Sequence, residues 1–480
     1  MKRFTASAPE RTFLALACAA SLGACATVPN LGPAPLARPV AAYQTQRSFA
    51  APRAEWPTDR WWDAYGDPQL SRLIDEALSG SPTLAQAAAR LRAAAALADQ
   101  SRAATLPSLS FNGEVAYAEQ SRALGFPPFI QQLLPKGYQG TGRVTLDAAY
   151  DLDLFGKNRA ALASAISESA ASRADLAQAR LTLSTGVAQA YGDLARLGAE
   201  RDAAEATFRN RQESGRLVAQ RVRNGLDTQG ELKQARAATP GSRADVEALD
   251  EQMLITRHRI AALTGAGPDR GLEIAAPRPA AVKAFGLPAN LQLDLLGRRP
   301  DIIAARLRAQ AAARRIGAAR AAFYPNITLN AYVGQQSLGL GQLFDPAAAI
   351  GSIGPAVNLP IFDGGRLRGA YRQARADYDA AVGAYDQTLT QALQDVADSA
   401  ASVRSAQSQL ADRRQALTAG EAAYAIARLR YQGGLSSYVA VLSAEDAVIA
   451  ERRSLADAQA RGFSLDVALV RALGGGPGGA

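Results

Sequence analysis

The chain has one histidine, His258, two cysteines, Cys18 and Cys25, and only 6% aromatic residues among its 480. A lone histidine in the helix-patterned run ITRHRIAAL builds no metal centre. No nucleophile and base stand at a recognisable spacing, and the glycine pairs lack the strand-to-helix setting of a phosphate loop. The expectation is therefore a protein that is not an enzyme and holds no cofactor and no metal. The excess of basic residues, +9 overall, contains no polybasic cluster, so nucleic acid is not an expected partner. Beyond the N-terminal segment no stretch approaches the roughly 20 uninterrupted apolar residues of a transmembrane helix. Any crossing of a membrane must then be made by strands. What the chain has instead is alanine, within a 48% hydrophobic composition, which favours closely packed helices over a bulky core.

The first residues read as an address. Lys2, Arg3 and Arg11 precede a short apolar run ending Leu22-Gly23-Ala24-Cys25, the charge order and length of a secretory signal. The last four residues resemble a lipobox, a framing that Cys18 lacks. Residues 1–24 are expected to be removed and Cys25 to become a lipid-modified first residue. Ala26 stands where an aspartate often retains lipoproteins in the inner membrane, which points to the outer membrane.

Four segments alternate apolar with small or polar residues: 109–118, 144–155, 327–333 and, more weakly, 353–362. In the second, Val144, Leu146, Tyr150, Leu152 and Leu154 oppose Thr145, Asp147, Asp151 and Asp153. That period suits a barrel wall greasy toward lipid and wet toward a lumen, so Asp147, Asp151 and Asp153 are expected to face water. Four strands cannot close a barrel, and an open edge is not tolerated in hydrocarbon. Several chains must share one. Segments 121–142 and 334–349, rich in glycine or proline, are expected to be the extracellular loops.

The remainder reads as helix. No proline interrupts residues 157–223 or 366–431, each roughly 100 Å at 1.5 Å per residue. In the second, Val382, Leu389, Val396, Val403, Leu410, Leu417, Tyr424 and Tyr431 recur at intervals of seven, the spacing of a left-handed supercoil. Leu176, Leu183, Ala190 and Leu197 repeat it less cleanly in the first. Shorter helices are expected over 83–105, 231–263, 301–322 and 438–473, with a kink or break at Pro240-Gly241. The chain also says much of this twice. ARLRAAAALADQSRAATLPSLSFN is echoed by ARLRAQAAARRIGAARAAFYPNITLN, RVRNGLDT by RYQGGLSS, and DLFGK by FDGGR. The unit is short helix, strand, loop, strand, long helix, turn, return helix, with a Phe, a glycine turn and a basic residue at each strand-to-helix junction.

These features, with WWDAYGDPQLSRLIDEAL near the start and LLGRRPDIIAARLRAQAAARRIGAARAAFYPNITL in the middle, resemble the TolC-like outer-membrane efflux factors, in their lipid-anchored branch. The resemblance spans essentially the whole mature chain. It implies a mainly α fold with a small β portion: coiled-coil hairpins in an α-barrel, and four strands per chain in a shared 12-stranded β-barrel. It further implies a homotrimer, set in outer-membrane lipid and extending into the periplasm. Such a trimer is the exit duct of a tripartite efflux pump, with a periplasmic adaptor and an inner-membrane RND-type transporter as partners. A type I protein-secretion duct shares the architecture and is the alternative. The expected divisions are a signal peptide 1–24, an anchored N-terminal segment and equatorial region 25–82, a first repeat 83–265, a connection 266–300, a second repeat 301–473 and a glycine-rich tail 474–480.

The resemblance also assigns sites. Asn224-Gly225-Leu226 and Gly433-Gly434-Leu435 match the tips where an adaptor packs. Carried over from those turns, the acidic ring of the closed periplasmic gate falls on Glu231 in the first half, and the gate tyrosine on Tyr431. The basic partner becomes Ser436, and the second-half acids become Ala440 and Ser443, with Glu445 and Asp446 a turn away as candidates for a shifted ring. The expectation is a closed state held mainly by supercoil packing, Tyr424 and Tyr431 included, rather than by an ionic latch.

Overall fold

A computed structural model describes residues 27–119, 121, 129, 137–277 and 286–476. Cys25 and the segment before it lie outside the described residues. The chain divides into two compact units. One comprises Arg92–Ala170 and Leu307–Gly383 with the described part of the first 36 residues, and the other Ala37–Leu91, Ala171–Arg306 and Ala384–Ala480. Among the described residues no helix is long and apolar enough to cross a membrane.

The internal repeat is reproduced in element lengths. Helix α1 (Pro68–Gly80) is followed by α2 (Pro82–Ala103, 22 residues), strands β1 (Ser108–Glu119) and β2 (Tyr138–Asp151), α3 (Lys157–Arg223, 67 residues) and α4 (Gln229–Leu263, 35 residues). After the short α5 (Asp269–Leu272) and α6 (Leu291–Arg298) come α7 (Pro300–Ala321, 22 residues), β3 (Asn326–Leu338), β4 (Ala349–Asn358), α8 (Arg366–Gln432, 67 residues) and α9 (Tyr438–Ala472, 35 residues). Helices α2 and α7 both open on a proline, whose missing N–H is no loss at the first helical position.

Every member of the heptad seam in α8 is buried or half-buried, and Leu389 and Val396 are fully buried. Burial every seventh residue is what a seam against neighbouring helices requires. Around the first seam, α1 packs Leu70, Leu73 and Ile74 with Val187, Leu194 and Leu197 of α3, Ile260 of α4 and Phe463 of α9. The second half repeats the device with α6: Leu291 and Leu295 join Ile302, Leu389, Leu393, Val396 and Leu469. Arg299 of the GRRPD stretch is buried there. It donates from Nε and Nη2 to Asp301 (3.0 and 2.6 Å), from Nη1 and Nη2 to Asp395 (both 3.1 Å) and from Nη1 to the Ala472 carbonyl (3.0 Å). A guanidinium taken out of water is tolerable because its donors are shared among two carboxylates and a carbonyl.

Several expectations are corrected. Of the kink or break expected at Pro240-Gly241, the break is absent: helix α4 runs continuously through Pro240. The carbonyl freed by proline belongs to Arg236, and both residues are exposed, so water can take the lost bond. The strands are longer at their outer ends than the alternation implied, and the expected loops correspondingly shorter: 138–142 belongs to β2 and 334–338 to β3. Glycine was read there as a turn signal, whereas it is needed for close approach within the sheet. A Cβ at Gly334 would stand 2.0 Å from the Val144 carbonyl oxygen, and one at Gly142 would stand 2.9 Å from Leu343. At the inner end β4 stops at Asn358, before Pro360, which cannot donate to a ladder.

Candidate functional site: an amphipathic sheet and two helical tips

The strands form one antiparallel sheet in the order β1-β2-β3-β4. Ser110 pairs with Asp147, Asp147 with Tyr332, and Tyr332 with Ser352, so these four share one face. With them on that face stand Asn112, Glu114, Arg143, Thr145, Asp151, Thr328 and Asn330. The opposite face carries Leu109, Phe111, Val115, Tyr117, Val144, Leu146, Tyr150, Leu329, Val333, Ile353 and Val357. Its apolar side chains are open: Phe111 is 69% exposed, Val115 68% and Ile353 75%. A water-soluble sheet would bury that face. Stacked Tyr117 and Tyr138, centroids 5.7 Å apart, mark its outer end, and stacked Phe155 and Tyr324, 4.7 Å apart, lie beyond its inner end. Aromatic pairs at both ends of an apolar band are the interfacial girdles of a membrane barrel. Strands of 10 to 14 residues, at about 3.3 Å per residue and tilted roughly 40°, cover about 25 to 35 Å, enough for such a band.

On the polar face Asp147 accepts from Thr145 Oγ1 (2.6 Å) and Asn112 Nδ2 (2.9 Å), and the Arg143 guanidinium lies 5.4 Å from the centre of the Tyr332 ring. Asp151 accepts from Asn158 Nδ2 (3.2 Å). Asp153 is a correction. It lies beyond β2 with φ 45°, only 10% of its side chain is exposed, and its oxygens accept from the backbone N–H of Asn158 (3.0 Å) and Arg159 (2.9 Å). It caps the start of α3 and does not belong to the strand face. Asp363 does the same for α8, accepting from Gly365 N (3.0 Å) and Leu367 N (2.8 Å), bonds that hold its carboxyl below the usual range. The repeated junction of the sequence is thus a capping device built on an aspartate, Asp153 in the first repeat, which the alternation assigns to the strand face, and Asp363 in the second, which no sequence pattern marks.

At the far ends of the long helices the two tips are built alike. Gly225 and Gly434 take φ 70° and 73°, conformations that side chains with a Cβ resist. Leu226 N donates back to the Arg221 carbonyl (2.9 Å) and Leu435 N to that of Arg430 (2.8 Å), closing each helix in a Schellman turn. Both leucines are left exposed, at 63% and 73%. Asn224 and Gly433, one residue before each left-handed glycine, complete the two turns and are exposed as well.

Beyond the turns the halves differ. Thr228 and Glu231 form a capping box: Thr228 N donates to Glu231 Oε2 (2.9 Å), and Glu231 N to Thr228 Oγ1 (3.2 Å). Glu231 Oε1 also accepts from Tyr438 N (3.3 Å), tying α4 to the start of α9. Tyr431 is 2% exposed and its hydroxyl donates to Asp227. Arg221 donates from Nε to the same carboxylate (3.1 Å), stands 4.8 Å from the Tyr431 ring centre and donates from Nη1 to the Gln432 carbonyl (3.3 Å). Burial, then the bond to Asp227, pushes the Tyr431 hydroxyl well above its ordinary value. Asp227 and Arg221 were missed in the sequence, although Arg-x-x-Asn-Gly-Leu-Asp-Thr-x-x-Glu carries the pair and the capping box in plain order. Ser436 occupies the place of Asp227 in the second tip, and its buried hydroxyl has no partner among the described residues.

Glu445 and Asp446 share Arg211, which donates from Nε to Glu445 Oε2 (3.2 Å) and from Nη2 to Asp446 Oδ1 (2.7 Å). Glu445 is 6% exposed, and burial raises its pKa. It is turned into the hairpin toward Arg211, which does not suit an open acidic ring.

An open amphipathic sheet with apolar residues on its exposed face, carried on heptad-seamed helices, defines part of a membrane channel wall. The family described as outer membrane efflux protein matches residues 73–266 and 292–475, and the chain belongs to it. Fusaric acid resistance protein FusA of Burkholderia cepacia is 38% identical over 331 residues, which are 67% of this chain and 61% of that protein. Multidrug resistance outer membrane protein MdtP of Escherichia coli K12 is 33% identical over 435 residues, 88% of this chain and 87% of that one. Among solved structures, the outer membrane protein VceC of Vibrio cholerae superposes with a TM-score of 0.82 at 41% identity, over 88% of this chain and 100% of that chain. The TolC-like fold follows, and with it an efflux channel in the outer membrane.

Proposed function

We propose that this chain is one third of a homotrimeric exit duct in a tripartite efflux pump, passing small molecules received from a periplasmic adaptor and an inner-membrane RND-type transporter. The observation that carries the reading is the sheet: an exposed apolar face on one side, a wet face on the other, and free edges at β1 and β4. Three copies give 12 strands, close both edges and turn Asp147 and Asp151 inward. The duct performs no chemistry of its own. The exposed Leu226 and Leu435 at the glycine turns form the surface that an adaptor hairpin meets. Above them the Tyr431–Asp227–Arg221 cluster holds the entrance shut, and Glu231 contributes acid to its rim.

Lipid on Cys25 fits the first described residues. Arg375 of α8 donates to the carbonyls of Gly32 (3.2 Å) and Pro33, and Tyr378 OH to that of Pro35 (3.2 Å). Arg375 is nine residues below the start of α8, about 14 Å at 1.5 Å per residue. The seven residues from Gly32 back to Cys25 can span about 25 Å. The anchor can therefore reach the membrane plane. Native mass spectrometry of the detergent-extracted protein tests the assembly: three copies with an acylated N-terminus are expected. A monomer that still forms pores, or an unmodified N-terminus other than Cys25, overturns the corresponding part.

A further inference from the structure

We propose that a cavity at the foot of the sheet binds the phosphate of an anionic glycerophospholipid in the periplasmic leaflet. The cavity, about 320 Å³, is lined by Asp153, Phe155, Lys157, Tyr324, Asn326 and Arg366 among others. Its depth is set by its neighbours. The exposed apolar face continues past the strand ends through Leu154, Ile361 and Phe362, the last 90% exposed, and the stacked Phe155 and Tyr324 lie on the cavity wall. An aromatic pair at the rim of an apolar band sits at headgroup level.

The charges at that level favour an anion. Lys157 opens α3 and Arg366 opens α8, with Arg159 and Arg368 two residues on, and neither helix has an acidic residue in its first turn. The capping carboxylates of Asp153 and Asp363 answer the macrodipoles of α3 and α8, and the four cations outnumber them. The nearby acids are already engaged. Both oxygens of Asp153 accept backbone N–H groups, and one also accepts from Arg159 Nε (3.3 Å). Asp363 accepts from Gly365 and Leu367, and Asp151 from Asp153 N and Asn158. Among the described residues Lys157 and Arg366 have no carboxylate within ion-pair distance, and both are exposed. The basic pair after the glycine occurs in both repeats, Lys157-x-Arg159 and Arg366-x-Arg368, and the assigned efflux function makes no use of it. Two ammonium or guanidinium heads beside aromatic rings at headgroup depth match a phosphodiester whose acyl chains lie along the apolar face.

The inference rests on the sheet being inserted in a bilayer, and the test separates the two. Full-length protein is reconstituted in nanodiscs of phosphatidylethanolamine with a minor fraction of phosphatidylglycerol, released into mild detergent and weighed by native mass spectrometry. Wild type is expected to keep phosphatidylglycerol in preference to phosphatidylethanolamine. Lys157→Gln with Arg366→Gln should lose that preference by about fivefold for each cation removed, while Lys157→Arg keeps it and planar-bilayer conductance shows all variants inserted. If the double variant fails to insert, Lys157→Gln alone is read in the same way. Equal retention by wild type and an inserted variant overturns the site. Complete displacement of the lipid by excess inorganic phosphate would make it a free-phosphate pocket and overturn the lipid assignment.

Discussion

Replacing Arg221 tests what holds the periplasmic entrance shut. Arg221→Ala removes an ion pair to Asp227 whose side chains are 14% and 5% exposed, a cation–π contact at 4.8 Å and a bond to the Gln432 carbonyl. A hydrogen bond to a buried charge is worth about 1.5 to 3 kcal/mol and the ring contact about 0.5 to 2. The exposed carbonyl bond adds little. A loss of about 3 kcal/mol corresponds to roughly a 150-fold change in an equilibrium constant. Because the cluster joins the end of α3 to the end of α8, that loss should fall on the closed state and appear as raised open probability in single-channel recordings of the purified protein. Tyr431→Phe removes only the hydroxyl donor and keeps the ring beside Tyr438, so its effect should be about tenfold. The two changes share Asp227 and should not add.

Salt discriminates this latch from a surface one. A pair this buried is screened far less than an exposed pair, so closure by wild type should hardly respond between low and high ionic strength. Arg221→Lys should be intermediate, since an ammonium can neutralise Asp227 but cannot fork to Gln432 or stack as flatly on Tyr431. If Arg221→Ala leaves open probability within about twofold of wild type while Tyr431→Ala raises it, packing alone shuts the entrance and the ionic account is wrong.

Asp147→Asn with Asp151→Asn should reduce cation over anion selectivity in planar bilayers, because Glu114, Asp147 and Asp151 outnumber Arg143 on the polar face; unchanged reversal potentials would put these residues outside the lumen. Burial raises the Glu445 pKa above its ordinary value, so its contribution to stability is full below the unfolded pKa and lost as pH rises through the folded one. Glu445→Gln should therefore gain protection over wild type as pH increases from about 4 to 7, read by hydrogen exchange in the first turns of α9; a difference that stays constant with pH counts against it. Gly225→Val and Gly434→Val force a Cβ into left-handed backbone, a strain of about 1 to 3 kcal/mol confined to the turn. Efflux and adaptor crosslinking should fall while assembly persists, and normal crosslinking would refute the contact.

The long-range pattern was legible because it is periodic. A seam repeated at every seventh residue and a strand alternating over a dozen positions are statements about faces, and faces survive from sequence to structure. Boundaries set by one residue were not. Gly140, Gly142 and Gly334 look like loop residues by type, and only the ladder reveals them as places where a side chain would strike Leu340, Leu343 or the Val144 carbonyl. Asp153 shares the parity of Asp147 and Asp151, so alternation alone could not tell that the backbone turns left-handed and spends its carboxylate on capping α3. Arg221 was hidden for a different reason. Resemblance placed the basic partner by position at Ser436, whereas the cluster needs a guanidinium in space and takes it from the other repeat.

That exchange bears on how a duplicated chain can open. The repeats match in helix lengths of 22, 67 and 35 residues and in Schellman turns, so the scaffold alone would treat both tips alike. The furniture of the tips is unequal. The first carries Asp227, a capping box and Arg221, while the second offers Ser436 and Ser437; Ser437 makes no cap bond of its own, and the first N–H of α9, on Tyr438, borrows Glu231 from the first tip. Helix ends with fewer satisfied groups open at lower cost. In addition, the polar hold on Tyr431 comes from Asp227 and Arg221 of the first tip while its ring packs on Tyr438 of the second, so releasing Asp227 breaks the polar tie at the end of α8 and leaves the capping box of α4 in place. The second hairpin is therefore the one that should swing, and the first the one against which it moves. Hydrogen exchange on the closed channel should show the last turn of α8 and the first of α9 less protected than the matching turns of α3 and α4, with Arg221→Ala widening the gap. Equal protection at both tips would refute a one-sided opening.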